Sequence, residues 1–165
     1  MIRHLVSVGV LTAVFSALGP ASASAQVYTL TANLTGAGEA TQVANGVNTG
    51  AFGDATVVVD MSARTVAYTV RVFNLPSGVT ASHIHVGAPL TAGPVIINFA
   101  PPLTASNDFS YTGVVRDTEF LINAGTGIRS ADDMFQAIIG GNTYVNVHSS
   151  ANPGGEIRGQ LTVRP

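Results

Sequence analysis

Three histidines provide the side chains of this sequence that are best suited to chemistry. His83 and His85 are one residue apart in the stretch ASHIHVG, and His148 follows in YVNVHSS. On a β-strand, residues i and i+2 point to the same face, with Cα atoms about 6.5–7 Å apart. Two such imidazoles can converge on one ion, because metal–nitrogen bonds are about 2 Å long. Two polar residues on the solvated face of a strand would give the same pattern, so both interpretations are open.

A third imidazole from a neighbouring strand would complete a metal site. His148 is the only other histidine beyond residue 25, since the fourth, His4, lies near the N-terminus. Three imidazoles suit copper, with zinc as the alternative, and leave one coordination position for water or a substrate. Because neutral imidazole is the ligand, we expect binding to weaken as the pH falls through about 6.5. We therefore predict one ion, preferably copper, at His83, His85 and His148.

Apolar and polar residues alternate around each of these histidines. In the stretch HIHV, Ile84 and Val86 share one strand face and the histidines share the other. In YVNVH, the valines share one face, and the tyrosine, the asparagine and His148 share the other. The aliphatic side chains therefore point into a core, and all three histidines are predicted to lie on the outer, polar face of a sheet.

Glu156 and Arg158 continue this pattern in the stretch EIRGQL, opposite Ile157 and Leu161. One interpretation is a surface ion pair, which contributes under about 1 kcal/mol. The other is that the two side chains orient the histidines from behind, as partners of the ligand rings. The residues alone favour neither.

The elements that must hold these residues are short strands separated by turn residues. The pattern predicts eight strands, at 27–34, 51–61, 65–75, 80–87, 93–100, 108–117, 144–150 and 155–163. The stretch SADDMFQAII, at 130–139, predicts one short helix, because Ser130 and Asp133 have capping-box spacing and two glycines follow. We expect a single all-β domain, an antiparallel β-sandwich of about eight strands with one short helix.

The first 25 residues are typical of a secretory signal peptide. Arg3 precedes an apolar run at 5–19, and small residues then offer a cleavage site after Ala25 or Ala23. The run is too short for a comfortable transmembrane helix. We therefore expect residues 26–165 to form a secreted or periplasmic domain with no membrane contact after cleavage. The sequence contains no cysteine for lipid attachment or for a disulfide.

The composition excludes several functional classes. The formal charge is −2, only 10% of the residues are charged and no basic patch occurs, so nucleic acid is not an expected partner. The lack of cysteine excludes thiol nucleophiles and thiolate metal sites.

The two adjacent carboxylates, Asp132 and Asp133, are explained by their position in the first turn of the predicted helix, where acidic side chains are favourable. Glu39, in a glycine-rich loop, is interpreted as an acceptor that orders the loop, with a solvated side chain as the alternative.

Three stretches together resemble the CHRD domain family. They are YTLTANLTGAGEA, VTASHIHVGAPLTAGPVIINF and YVNVHSSANPGGEIRGQL. The family is named for chordin, an extracellular antagonist of bone morphogenetic proteins, and also occurs as single-domain exported bacterial proteins. The resemblance implies that residues 26–165 form an immunoglobulin-like sandwich with limited similarity to Cu/Zn superoxide dismutase.

The dismutase similarity implies copper ligands at specific positions. SHIHVG is similar to the dismutase strand that supplies two copper ligands as His-x-His, and GNTYVNVHSS is similar to the strand that supplies another. The implied ligands are again His83, His85 and His148. The remaining zinc-site histidines and the disulfide are missing, so at most a copper-only site is implied. Arg158 would stand in for the anion-guiding arginine, although its spacing after His148 is shorter.

Three hypotheses of function follow. The first is an exported metal-binding β-sandwich with a copper-type three-histidine site and an undefined physiological role. The second is a non-catalytic module that binds an extracellular or cell-envelope protein. The third is a copper-only, superoxide dismutase-like redox enzyme, against which the missing ligands argue.

Overall fold

The fold is all-β with one α-helix, as predicted. The structure is a computed structural model, and it describes residues 26–39, 46–102 and 106–165. The expected signal peptide, 1–25, lies outside the described residues. Within them, the elements are β1 (Val27–Thr35), β2 (Phe52–Asp60), β3 (Thr65–Phe73), β4 (Val79–Val86), β5 (Val95–Asn98), β6 (Phe109–Arg116), α1 (Ala131–Ile139), β7 (Thr143–Ser149), β8 (Ile157–Gln160) and β9 (Thr162–Val163).

Each of the eight predicted strand segments overlaps at least one observed strand. The last segment, 155–163, contains two, separated by Leu161. Both of these strands pair with β1, but only β8 also pairs with β7. The sequence pattern runs through this change without a break, which is why it predicted one strand.

The strands form one antiparallel path in the order β5-β4-β7-β8-β1-β2-β3-β6. The two ends of this path approach each other. The Tyr68 ring on β3 stacks on Phe99, with ring centroids 3.9 Å apart. After β6, the N–H of Leu121 donates to the Ile96 carbonyl on β5 at 2.9 Å. The path therefore curls into a nearly closed sheet around a single core.

Aliphatic side chains at every second strand position fill this core. Ala55, Val57 and Val59 of β2 belong to the same buried cluster as Ile84 of β4 and Val145 of β7, and none of them is more than 1% exposed. Burial of such a side chain contributes about 1.5–3 kcal/mol relative to its exposure. The alternation that predicted strands is thus the alternation that builds the core.

The helix α1 bridges the loop between β6 and β7. Its N-cap, Ser130, accepts a hydrogen bond from the N–H of Asp133 at 3.1 Å, as the capping spacing predicted. Phe135, on the buried face of the helix, contacts Phe120 edge to face. Gly141 follows with φ 75°, a left-handed conformation that favours glycine. Within the described ranges, no helix has both the length and the hydropathy to cross a membrane.

The polar face of β7 and β8 is covered rather than solvated, and His83 and His85 on β4 are half-buried, which corrects the expectation of an exposed outer face. All residues of β7 are buried, and Glu156 and Arg158 are 0% and 3% exposed. Two loop segments, Gly36–Glu39 and 87–94, lie against this face. Alternation predicts the direction of a strand side chain, but it contains no information about loops that later cover it.

Candidate metal centre

Strands β4 and β7 bring the three histidines together. Their antiparallel register places His83 opposite Asn146 and Ala81 opposite His148. The ring centroid of His83 is 5.5 Å from that of His85 and 4.9 Å from that of His148, and the His85–His148 distance is 6.2 Å. The three rings therefore share one face, as the alternation predicted.

The ring nitrogens converge closely enough for one ion. One nitrogen of each histidine lies within 4.8 Å of the other two, and Nδ1 of His83 is 3.1 Å from Nε2 of His148. Two nitrogens bound to the same ion at about 2 Å are at most about 4 Å apart. Small rotations of the rings would therefore bring all three to bonding distance, and the residues fit a three-imidazole site.

Two backbone carbonyls fix the protonated nitrogen of two rings. Nδ1 of His85 donates to the Gly93 carbonyl at 2.9 Å, and Nδ1 of His148 donates to the Pro153 carbonyl at 2.9 Å. Because a carbonyl only accepts, each Nδ1 carries the proton and each Nε2 keeps its lone pair. A hydrogen bond from the second ring nitrogen to a carbonyl is typical of metal-ligating histidines.

The fixed tautomers also assign the atoms that face the centre. Nε2 of His148 accepts the hydrogen bond from Nδ1 of His83, so an ion at the centre would replace the proton between these two atoms. Nε2 of His85 is buried and has no hydrogen-bond partner among the described residues. The centre thus offers Nδ1 of His83 and Nε2 of the other two rings.

Burial keeps the three rings neutral. Burial is the main reason why the pKa of His83 is lowered to about 4, and the charges that His148 and His85 would carry lower this pKa further. Burial also lowers the pKa of His85, against the opposing effect of its bond to Gly93, and the pKa of His148, against its bond to Pro153. All three imidazoles are therefore in the ligand form at neutral pH.

Glu156 lies buried beside the site. Its carboxylate accepts hydrogen bonds from the hydroxyl of Ser149, which follows His148, and from Oγ1 of Thr49 at 2.6 Å. The surface ion pair considered for Glu156 and Arg158 is wrong, because neither side chain reaches the surface. That Glu156 orients the histidines from behind stays a prediction.

Arg158 acts on a different part of the site. Its Nη2 donates to the carbonyls of Ala88 and Thr91 at 3.1 and 2.9 Å, and its guanidinium carbon lies 3.3 Å from the centroid of the Tyr144 ring. Tyr144 in turn stacks on His85, with ring centroids 4.9 Å apart and planes 6° apart. Arg158 therefore contacts the ring that contacts His85.

Tyr144 and Glu39 are two buried residues whose environment the sequence pattern did not indicate. The alternation in YVNVH predicts that Tyr144 lies on the polar face, but it gives the same prediction for a solvated tyrosine. Glu39 is 0% exposed, and its carboxylate oxygens have no hydrogen-bond partner among the described residues, so the expected loop-ordering acceptor is not observed. Burial raises the pKa of Glu39 to about 7, against the opposing charge of Arg158.

The comparisons with known proteins identify the family. A family model described as CHRD domain matches residues 30–161, which include every residue of the site described above. No curated protein and no solved structure matches the chain. The family match covers most of the sequence and spans β1 to β8. The chain belongs to the CHRD domain family.

Proposed function

We propose that this CHRD domain binds one transition-metal ion, preferably copper, through His83, His85 and His148, in an exported protein. The observation that carries the proposal is the convergence of three ring nitrogens within 4.8 Å. The carbonyls of Gly93 and Pro153 support it, because they hold two of the rings with Nε2 turned to the centre. Histidines that only covered a strand face would not need to carry the proton on the same ring nitrogen, Nδ1, as His85 and His148 do.

The donor set selects the class of ion. Within the part of the chain that the structure describes, the site offers three imidazole nitrogens and no carboxylate or thiolate, so it suits copper or zinc rather than calcium or magnesium, which prefer oxygen ligands. At nitrogen sites the affinity for Cu²⁺ exceeds that for Zn²⁺ in the general order of divalent ions. We therefore expect copper to bind more tightly, with zinc as the alternative.

A bound copper ion with three protein ligands would supply an open coordination position and a one-electron redox couple. The protein's own residues do the positioning, since Gly93 and Pro153 hold His85 and His148 in place. Arg158 does not support the dismutase-like alternative, because it is 3% exposed and its guanidinium stacks on Tyr144. The other alternative, a non-catalytic module for an extracellular protein partner, needs no ion at all.

The test is metal titration of the purified protein, prepared without a histidine tag. We expect calorimetry near neutral pH to show one Cu²⁺ or Zn²⁺ per chain, with copper the tighter. The variant in which all three histidines are replaced by alanine should lose this binding. Asn98→Ala is the matched control, because Asn98 lies directly opposite His83 on β5, is exposed and carries no imidazole. Binding no tighter than millimolar, or equal binding by the triple variant, would exclude the proposal and favour the protein-binding module.

A further inference from the structure

The loop of residues 87–94, which contacts His85 through Gly93, is held by side chains of the strands beneath it. We call it the covering loop. Side chains of β8 bind three of its carbonyls: Gln160 donates to that of Gly87 at 2.9 Å, and Arg158 donates to those of Ala88 and Thr91. The covering loop is therefore attached to the sheet along its length rather than only at its ends.

Gly93 joins this loop to the candidate site. Its carbonyl accepts the hydrogen bond from Nδ1 of His85, and its N–H donates to the hydroxyl of Tyr144 at 3.2 Å. A Cβ at this position would lie 1.6 Å from the carbonyl oxygen of Val86. Only glycine allows this approach, so this one residue, through its N–H and its carbonyl, connects the hydroxyl of Tyr144 with the ring of His85.

Tyr144 also contacts His85 directly. The two rings are nearly parallel, and the guanidinium of Arg158, from the strand on the other side of β7, lies over the Tyr144 ring. The stack restrains the plane of the His85 ring, and the bond to Gly93 restrains which nitrogen carries the proton. Together they present Nε2 of His85 to the centre.

We propose that Tyr144 is a positioning residue that fixes the orientation and tautomer of His85, through its hydroxyl bond to Gly93 and its stacked ring, with Arg158 bracing it from the other side. This proposal rests on the proposed metal function, because Nε2 of His85 is the nitrogen that would bind the ion. It goes beyond that function by assigning the geometry of one ligand to a residue that is not itself a ligand.

The simpler view is that Tyr144 is only a packed ring, 3% exposed. Two substitutions separate these roles. Tyr144→Phe keeps the stacked ring and removes the acceptor for Gly93, whereas Tyr144→Leu removes both. Tyr111→Phe is the control, because Tyr111 is another buried tyrosine, which lies on β6 and stacks on Phe109 rather than on a histidine.

The first measurement uses the protein without metal. Long-range proton–nitrogen NMR of the histidine rings should show His85 protonated at Nδ1 in the parent protein and in Tyr111→Phe. In Tyr144→Leu we expect a mixture of the two tautomers, with Tyr144→Phe between these limits. If Tyr144→Leu folds and keeps a single Nδ1–H tautomer, the positioning role is wrong. This measurement does not depend on whether an ion binds.

The second measurement uses added Cu²⁺. We expect the affinity to fall roughly ten- to a hundredfold in Tyr144→Leu, as for other groups that support metal ligands, and the electron paramagnetic resonance spectrum of the bound copper to change. A Tyr144→Leu variant with a lower melting temperature but unchanged affinity and spectrum would assign Tyr144 to packing alone. If the parent protein binds no copper, the proposed function fails, whereas the tautomer measurement still decides the role of Tyr144.

Discussion

At the scale of single residues, burial prepares the histidines for an ion before any ion is present. The cost of burying a charged ring lowers the pKa of all three. A proton therefore competes with an ion less well here than at a histidine in water. Two of the rings also lose little rotational freedom on binding, because Gly93 and Pro153 already hold them.

Because the three pKa values are lowered, metal binding should weaken at a lower pH than the value of about 6.5 that the sequence alone predicts. A folded ring accepts a proton only below its lowered pKa, which for His83 is about 4, so the affinity for Cu²⁺ should persist below the usual histidine range near pH 6.5. Titrations at a series of pH values between about 5 and 7.5 would measure this. A short peptide of residues 81–87 is the control, because its histidines are solvated and should lose affinity near pH 6.5. Loss of affinity at the same pH in both would contradict the expectation.

Only part of this site could be predicted from the sequence. The common facing of His83, His85 and His148 was predictable, because strand side chains alternate with a fixed period. The register that places His148 beside His83 was not, since it depends on pairing between distant segments. The covering of the site was also not predictable, because Gly93 and Pro153 act through backbone carbonyls, which every residue possesses.

At the scale of elements, the covering loop is the part of the fold that is most specific to this site. It links the polar side chains of β4, β7 and β8 through its backbone. The sequence marked it only as a Gly- and Pro-containing turn before β5. The strands and the helix were predictable because burial and capping leave a local pattern, whereas a loop held by distant side chains leaves none.

Replacing Gly93 by alanine should displace the covering loop. The added Cβ would clash with the Val86 carbonyl, which is backbone and cannot rotate away. We expect the free energy of unfolding to fall by about 2 kcal/mol or more, with loss of the single His85 tautomer. Chemical unfolding and NMR would measure the two effects. Gly50→Ala is the control, since a Cβ there has no atom within 4 Å. Equal stability of the two variants would show that the loop adapts at little cost.

At the scale of the whole molecule, the buried Glu39 links stability to pH. In the folded protein burial raises its pKa to about 7, whereas the ordinary pKa of a solvated glutamate is 4.5. Between these values the native state binds more protons than the unfolded chain, so the free energy of unfolding falls as the pH rises. The loss approaches about 3 kcal/mol above pH 7.

Glu39→Gln should remove this loss, because the amide does not ionise. We expect the variant to gain stability over the parent progressively from about pH 4.5 to about pH 8, as measured by urea unfolding. The histidines produce the opposite trend, with stability lost as the pH falls below 6.5, but they are identical in both proteins and cancel in the difference. Glu119→Gln, at an exposed carboxylate, is the control. A difference that is the same at both ends of the pH range would contradict the expectation.

The pairing of β4 with β7 also decides when the site appears during folding. His83 and His148, which meet across this pair, are 65 residues apart in the chain. Closing such a loop costs entropy, and proteins built mainly from distant strand pairs fold in milliseconds to seconds rather than microseconds. A complete set of three imidazoles is therefore presented only by a chain that has already formed this pairing. An ion that binds them would lengthen the lifetime of the folded molecule by slowing its unfolding, and would do little to speed its folding.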